Sequence, residues 1–443
     1  MTGHSSFLIA ALILAPSAFG LRTSTLRSSP VTEDGSDFET SARVPSRPLT
    51  HNAYVWQRSW TDPVRNSLQE HARDFAGFIV LNAEVTWKAK QPTVIHVSID
   101  HAALAATKQP VGLAVRIGPF AGSFLPDDPT TRFLASLAQS LVAEAQSHQL
   151  KPCELQLDFD CADSKLDGYR AWVNAIRKKI APVPLTITVL PSWLRQPAFK
   201  SLIAATDGYV LQVHSLERPR DFNAPFTLCD PAAALKAVKQ AGEFPVTFRV
   251  ALPTYGYLVA FDPSGRFIGL SAEGPSKTWP AGTKIREVRA NPLEIPGLVQ
   301  SISTNRPASL HGFIWYRLPI SDDILNWRWP TLRAMVSARS PRESLRAEAR
   351  RVEPGLIEVS LVNDGELDIS SRLAVEVRWS REGEARLIAA DGLRGFESVD
   401  EGPSTLQFRN QSQSYRLPAG ERQVIGWLRF SEDREVQVEC KKL

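Results

Sequence analysis

The sequence predicts an α/β fold, a (β/α)8 barrel followed by a C-terminal all-β sandwich domain. Eight short apolar runs alternate with amphipathic helical stretches between residues 51 and 339, which is the pattern of strands that each feed a helix. Beyond residue 340 the helical period disappears, and segments such as "RLAVEVRWS" and "RQVIGWLRF" alternate apolar and polar residues between turn signals, as sandwich strands do. With 443 residues the chain has room for a barrel of about 250 residues and an accessory domain.

In chain order, the start "MTGHSSFLIAALILAPSAFG" carries an apolar run from Phe7 to Ala15 and small residues at Ala18 and Gly20. It reads as an export signal over residues 1–20, which places the mature protein in the periplasm or outside the cell. Residues 21–50 are rich in Ser, Thr, Pro and charge without apolar periodicity, and read as a disordered tether. No later stretch approaches the roughly 20 apolar residues of a membrane helix, so no transmembrane helix is expected once the signal is removed.

The barrel strands are assigned to "AYVWQRSW", "GFIVLNAEV", "VGLAVRIG", "ELQLDFD", "LTITVL", "GYVLQVH", "VTFRVALP" and "GFIWYRLP". Helices are expected over "DDPTTRFLASLAQSLVAEAQSHQ", "ADSKLDGYRAWVNAIRKKI" and "DPAAALKAVKQAG", where an Asp or Ser near the start suits the free amides of a helix N-terminus. Two insertions interrupt the repeat. "PTVIHVSID" adds a strand after the second barrel strand, and "YLVAFDPSGRFIGLSA" forms a hairpin about its Pro-Ser-Gly turn after the seventh.

The formal charge of +4 arises from 51 basic and 47 acidic residues without a basic block, a balance that argues against nucleic acid as a partner. The four cysteines, Cys153, Cys161, Cys229 and Cys440, lack metal-ligand spacing. Cys153 and Cys161 would stand about 26 Å apart on an extended strand. Cys161 with Cys229 is the one pairing that shared rim positions would allow; two buried free thiols are the other reading. Neither cofactor nor metal is called for by any motif.

Chemistry in such a barrel sits at the carboxyl ends of the strands. On "ELQLDFD", side chains alternate, so Leu155, Leu157 and Phe159 bury against helices while Glu154, Gln156, Asp158 and Asp160 face the lumen. The same parity turns Arg116, Arg249, Gln212 and His214 inward. Unpaired buried charges cost several kcal/mol each, so these acids and arginines are expected to pair, and a polar lumen that merely holds itself together is one account of them. Asp158 and Asp160, with Cβ atoms roughly 6.6 Å apart, could instead couple their titrations for acid/base work or bind a divalent cation. Aromatic residues gather at the strand ends: Trp56, Trp60, Trp87, Trp193, Tyr255, Tyr257 and Trp315. Sugar rings stack their C–H faces on aromatic planes and offer hydroxyls to Arg, Asp and Gln, so a polysaccharide or oligosaccharide is the expected partner.

"LQLDFD", "LQVH", "LPTYGY", the inserted hairpin and "FIWYRLP" together resemble the chitinase-like barrels of glycoside hydrolase family 18, and the layout of residues 50–443 resembles a bacterial family of uncharacterised exported proteins with that barrel. The resemblance implies that Asp158 and Asp160 match the two aspartates of an Asp-x-Asp-x-Glu motif, Tyr255 the seventh-strand Tyr, and Trp315 the floor of the sugar subsite. Ala162 stands where the general-acid Glu would be, and Leu155 replaces the motif's first Asp. Without that Glu the family's mechanism cannot run unchanged. Another acid is then required, Glu84 on the second strand or Asp163 past the fourth. The expectation is a glycoside hydrolase with Asp160 as the catalytic carboxylate, Asp158 orienting it and Glu84 as partner acid. Trp56, Tyr255 and Trp315 would shape the sugar subsite, and Arg116, Gln212, His214 and Arg317 would bind hydroxyls or support the acids. The alternative is a lectin-like barrel that binds glycan without cleaving it.

Overall fold

The computed structural model describes residues 48–88, 91–272, 278–381, 385–412 and 415–443. The expected export signal and the tether up to residue 47 lie outside the described residues. Strands β1 (Thr50–Val55), β2 (Gly77–Lys88), β3 (Gln91–His96), β4 (Val111–Ile117), β5 (Leu155–Phe159), β6 (Leu185–Val189), β7 (Gly208–Gln212) and β8 (Phe248–Pro253) precede an inserted sheet of β9 (Gly256–Phe261), β10 (Phe267–Ser271) and β11 (Lys284–Arg289). The last barrel strand is β12 (Leu310–Tyr316).

The sheet runs β1-β12-β8-β7-β6-β5-β4-β2 and closes through a β1–β2 pairing, every contact parallel. Each barrel strand leads to one helix: α1 (Asp62–His71), α2 (His101–Thr107), α3 (Pro129–Ser147), α4 (Leu166–Ile180), α5 (Pro197–Ile203), α6 (Pro231–Ala241), α7 (Ile295–Thr304) and α8 (Trp329–Val336). The fold is therefore the (β/α)8 barrel that the alternation predicts. β3 lies antiparallel on β2, and the insertion after β8 has a third strand, β11, beyond the expected hairpin.

The helices start where their caps allow. Asp128 and Asp230 each accept a backbone N–H three residues on, from Thr131 (2.7 Å) and Ala233 (2.9 Å), with Pro at the following position. On α4 the buried residues Leu166, Tyr169, Trp172, Val173, Ile176 and Ile180 recur at helical spacing. They carry the outer core, where Trp172 meets Phe120, Phe124, Phe159 and Trp87. Trp193 is fully buried too, its indole donating to the Cys161 carbonyl at 3.1 Å. Trp87 and Trp193, expected at the rim, are thus packing residues.

The amino-terminal end of the lumen is filled and paired. The Arg249 guanidinium meets Glu154 at 2.6 Å, Thr186 Oγ1 donates to the same carboxylate at 2.7 Å, and Gln156 donates to the Tyr54 hydroxyl. A Cβ on Gly112 would lie 2.5 Å from Ile79 Cδ1 and 2.8 Å from Glu154 Cγ, so only glycine fits there.

Strands β13 (Leu345–Glu353), β14 (Leu356–Asn363), β15 (Leu373–Trp379), β16 (Leu387–Gly392), β17 (Phe396–Gly402), β18 (Thr405–Asn410), β19 (Arg422–Phe430) and β20 (Val436–Lys442) form two antiparallel sheets, β13-β14-β19-β16 and β17-β18-β15-β20. Val359, Leu361, Val375, Val377, Phe408, Ile425 and Leu428 pack between them, giving the sandwich-like region. It is fastened to the barrel by Thr331 Oγ1 donating to the Glu366 carbonyl (2.5 Å) and Arg416 donating to the Ile324 carbonyl (2.7 Å). Among the described residues no helix is long and apolar enough to cross a membrane.

Candidate active site

Strand register brings the polar side chains to the open end of the barrel. Glu84, Arg116 and Asp158 face one another across β2, β4 and β5. Arg116 spans two carboxylates, with Nη1 at 2.5 Å from Asp158 Oδ2 and Nη2 at 2.8 Å from Asp160 Oδ2. Asp158 is held further by the Thr188 hydroxyl at 2.9 Å and its side chain is only 8% exposed. Asp160, one step nearer the mouth, is 19% exposed and bonds only to Arg116 among the described residues.

Burial raises the Asp160 pKa above the usual carboxylate value, and the Asp158 charge adds to the rise while Arg116 opposes it. Asp158 is the member held by two partners, Arg116 and Thr188, and Asp160 the one whose burial favours its protonated form. Arg116 occupies the space between them that a cation would need. Among the described residues, no group of three or more His, Cys, Asp or Glu is placed to hold a metal ion.

Glu84 lies at the same rim, its side chain 12% exposed, but both its oxygens are taken by Arg58, at 2.8 Å from Nε and 2.7 Å from Nη2. Asp163, the other substitute acid, accepts from Ser192 (2.8 Å) and Gln196 (3.1 Å) and ties the start of α4 to the loop after β6. Ala162 sits ahead of a 3-10 turn at Asp163–Lys165. It has no side chain that could reach a substrate.

A wall of rings borders the carboxylates. Trp56 and Tyr54 meet edge to face at 5.2 Å, and Tyr316 meets Trp56 (5.4 Å), Tyr54 (5.6 Å) and Tyr255 (5.1 Å). His214 stacks on Tyr316 at 5.5 Å. Its Nδ1 lies 3.3 Å from the Tyr255 hydroxyl, which bonds to Tyr257 (2.8 Å), which bonds to Ser215 (2.5 Å). Burial lowers the His214 pKa to about 3, so the imidazole is neutral. Gln212 donates to the His214 carbonyl at 3.1 Å.

Two expected subsite residues lie elsewhere. Trp315 is fully buried on the outside of the barrel, stacked on His51 with its indole donating to His51 Nδ1 at 3.1 Å. Its neighbour two positions back, Phe313, also faces outward against His51, and strand parity then gives the lumen to Tyr316. Arg317 is 2% exposed. It pairs with Asp323 (Nε to Oδ2 3.0 Å) and donates to the Ala272 carbonyl (2.8 Å), locking the loop after β12 to the inserted sheet.

Sequence reasoning missed Tyr54, Tyr316, Thr188 and Arg58, of which parity along "AYVWQRSW" and "FIWY" could have found the two tyrosines. Cys161 and Cys229 are buried and unpaired, and burial pushes both thiols up to about 12, which leaves them inert at neutral pH.

A family model described as a domain of unknown function, DUF3142, matches residues 107–321, and a second, DUF8456, matches residues 343–431. No curated protein matches the sequence. Among solved structures, the chain is similar to a chitinase from Chromobacterium violaceum ATCC 12472, with 16% identity over 66% of this chain and 98% of that one and a TM-score of 0.45. It is also similar to the spore cortex-lytic enzyme SleL of Bacillus cereus (11% identity, 66% of this chain, 74% of that one, TM-score 0.46). A chitinase from Bacteroides thetaiotaomicron shows 15% identity over 66% of this chain and 95% of that one, with a TM-score of 0.45.

Proposed function

We propose that the protein is an exported glycoside hydrolase that acts on an extracellular or cell-envelope glycan at the open end of its barrel. The observation that carries this reading is the contrast within the Asp158–Arg116–Asp160 group, where one carboxylate is fixed and the other keeps an affinity for protons at a half-open rim. In this scheme Asp160 gives its proton to the leaving glycosidic oxygen, and water supplies the hydroxyl at the anomeric carbon. Glu84 accepts two guanidinium N–H bonds from Arg58, which fix its two oxygens as acceptors at the same rim. Trp56 and Tyr316 offer the aromatic planes for a sugar ring, and Arg116 and Gln212 offer donors for its hydroxyls.

The test is a glycan panel scored both for binding and for released reducing ends. Asp160→Asn should lower release by about 10²–10⁴-fold while leaving binding in place. Release that is unaffected by this change would overturn the scheme.

The second reading, a lectin-like barrel, is favoured by Ala162 in the place of the acid and by the engagement of both Glu84 oxygens. It predicts binding without release in the wild type.

A further inference from the structure

The inserted sheet and the loop after β7 share a cluster of rings that carries three cations. Register sets Phe261 of β9 between Phe267 of β10 and Lys284 of β11, and Val259, two residues earlier, faces Arg286. Phe222, from the loop after β7, meets Phe261 edge to face at 5.4 Å, and Phe267 meets the same ring at 6.3 Å. Arg218 lies over Phe267 with Cζ 5.8 Å from the ring centre, Lys284 over Phe222 with Nζ at 5.9 Å, and Arg286 over Phe261 with Cζ at 5.5 Å. Each ring attracts its cation through its electron-rich face but carries no net charge to neutralise it.

Among the described residues, none of these three cations has a carboxylate partner. Neighbouring arginines do: Arg266 at the hairpin tip pairs with Asp262 at 3.1 Å, and Arg289, on the opposite face of β11, pairs with Glu287. Asp221, beside Phe222 in the loop, accepts the backbone N–H groups of Asn223 and Ala224 at 2.8 and 2.9 Å. Arg218 and Lys284 are exposed, and partial burial lowers the Arg218 pKa with no acid to raise it. Arg286 lies deeper. Its Nη1 donates to the Phe222 and Ala224 carbonyls at 2.7 and 2.8 Å, while its Nε and Nη2 are buried without a partner. A buried guanidinium with unmet donors is costly unless an anion lies near. Its charge adds to the field at the two exposed cations.

The patch joins the mouth of the barrel through Tyr257, which shares a face of β9 with Val259 and Phe261. Its hydroxyl bonds to Ser215, at the start of the same loop, and to Tyr255 in the wall of rings, at 2.5 and 2.8 Å. Four residues of strand, about 13 Å, separate Tyr257 from Phe261. A polymer held at the mouth and running along β9 would meet the cations. A neutral chain would leave them unpaired, whereas carboxylate or phosphate groups would pair with them. The chain as a whole, at +4 without a basic block, lacks the broad basic surface of a nucleic-acid binder. We infer that the inserted sheet and the loop after β7 form an anion-binding extension of the barrel mouth, in which Arg218 and Lys284 engage the carboxylate or phosphate groups of an acidic polysaccharide. The inference rests on the glycan reading of the barrel and adds the charge of its substrate.

The experiment is biolayer interferometry of the full chain over immobilised polygalacturonate, phosphomannan, dextran and a short DNA duplex, with urea midpoints to confirm that each variant is folded. At least one acidic polysaccharide should bind more tightly than dextran, and which one does so tells carboxylate from phosphate. Arg218→Ala combined with Lys284→Ala should weaken that binding about tenfold or more. Arg218→Lys combined with Lys284→Arg should keep most of it, and high salt should weaken it. Lys178→Ala combined with Lys179→Ala, which removes the same charge from exposed positions in the last turn of α4, should leave it unchanged. The proposal is overturned if neither acidic polysaccharide binds more tightly than dextran, or if the DNA duplex binds more tightly than both. It is overturned equally if the alanine pair at 218 and 284 binds as the wild type does, if the charge-keeping pair binds as poorly as the alanine pair, or if the α4 pair weakens binding as much. Failure of the hydrolase reading would show separately, as release of reducing ends that Asp160→Asn does not change.

Discussion

The lumen of the barrel holds two arginine–carboxylate groups, one at each end. At the closed end Arg249 serves Glu154 alone, with Thr186 completing the carboxylate's bonds under a plug of packed side chains. At the open end Arg116 is divided between Asp158 and Asp160, and Asp160 stays partly exposed with its proton affinity raised. The same residue types thus build a structural tie in one place and, in the proposed function, a reactive pair in the other. What separates them is the ratio of carboxylates to arginine and the access of solvent.

Breaking the closed-end pair should produce the largest effect. Glu154→Ala would strand a buried guanidinium, and urea unfolding should show a loss of about 3–5 kcal/mol. Asp158→Asn, which leaves Arg116 its Asp160 partner, should cost less; an equal loss would erase the distinction between the two ends.

Next comes acid sensitivity. Burial lowers His51 to about 4 and His214 to about 3. The folded protein therefore binds fewer protons than the unfolded chain in the window below the usual value near 6.5, and stability should fall as pH drops through that window. For His51 the linkage amounts to about 3 kcal/mol. His51→Gln, which keeps an acceptor for the Trp315 indole, should flatten the slope of unfolding free energy between pH 6.5 and 4.

Asp160 has the opposite sign. Its folded pKa is raised, so the native state holds the proton more tightly and its contribution to stability declines as pH rises above the ordinary carboxylate value. Asp160→Asn should accordingly raise stability at pH 7 while impairing function, whereas a structural carboxylate would lose stability. The smallest effect belongs to the rim: Arg58, about a third exposed, pairs with Glu84 in reach of solvent, and Arg58→Ala should cost about 0–1 kcal/mol.

Much of this contrast was legible in the sequence, because strand parity is a local property. Leu155, Leu157 and Phe159 had to meet helices, which put Glu154, Gln156, Asp158 and Asp160 inside. The same parity placed Arg116, Arg249 and Gln212 correctly. Parity and the family resemblance disagree at one strand. The resemblance makes Trp315 a sugar platform, whereas Phe313 on the same strand face packs outward and Tyr316 fills the lumen position.

The position of Arg317 is not legible locally, because its partner Asp323 belongs to a loop whose path no local pattern dictates. The engagement of Glu84 by Arg58 was likewise invisible, since it joins two strand ends that are distant in sequence. Trp87 and Trp193 show the same limit: the Cys161 carbonyl draws Trp193 into the core, and the aromatic cluster around α4 holds the half-buried Trp87 against it.

The central claim is that the open-end pair contains one carboxylate tuned to hold a proton. Its direct measurement is the titration of the Asp160 side-chain carboxyl by carbon-13 NMR, assigned by its absence in Asp160→Asn. The account predicts a midpoint above the ordinary Asp value of about 4, displaced further upward when Arg116 is replaced by Gln. A midpoint at or below that value would make Asp160 a second structural anion like Glu154 and contradict the account.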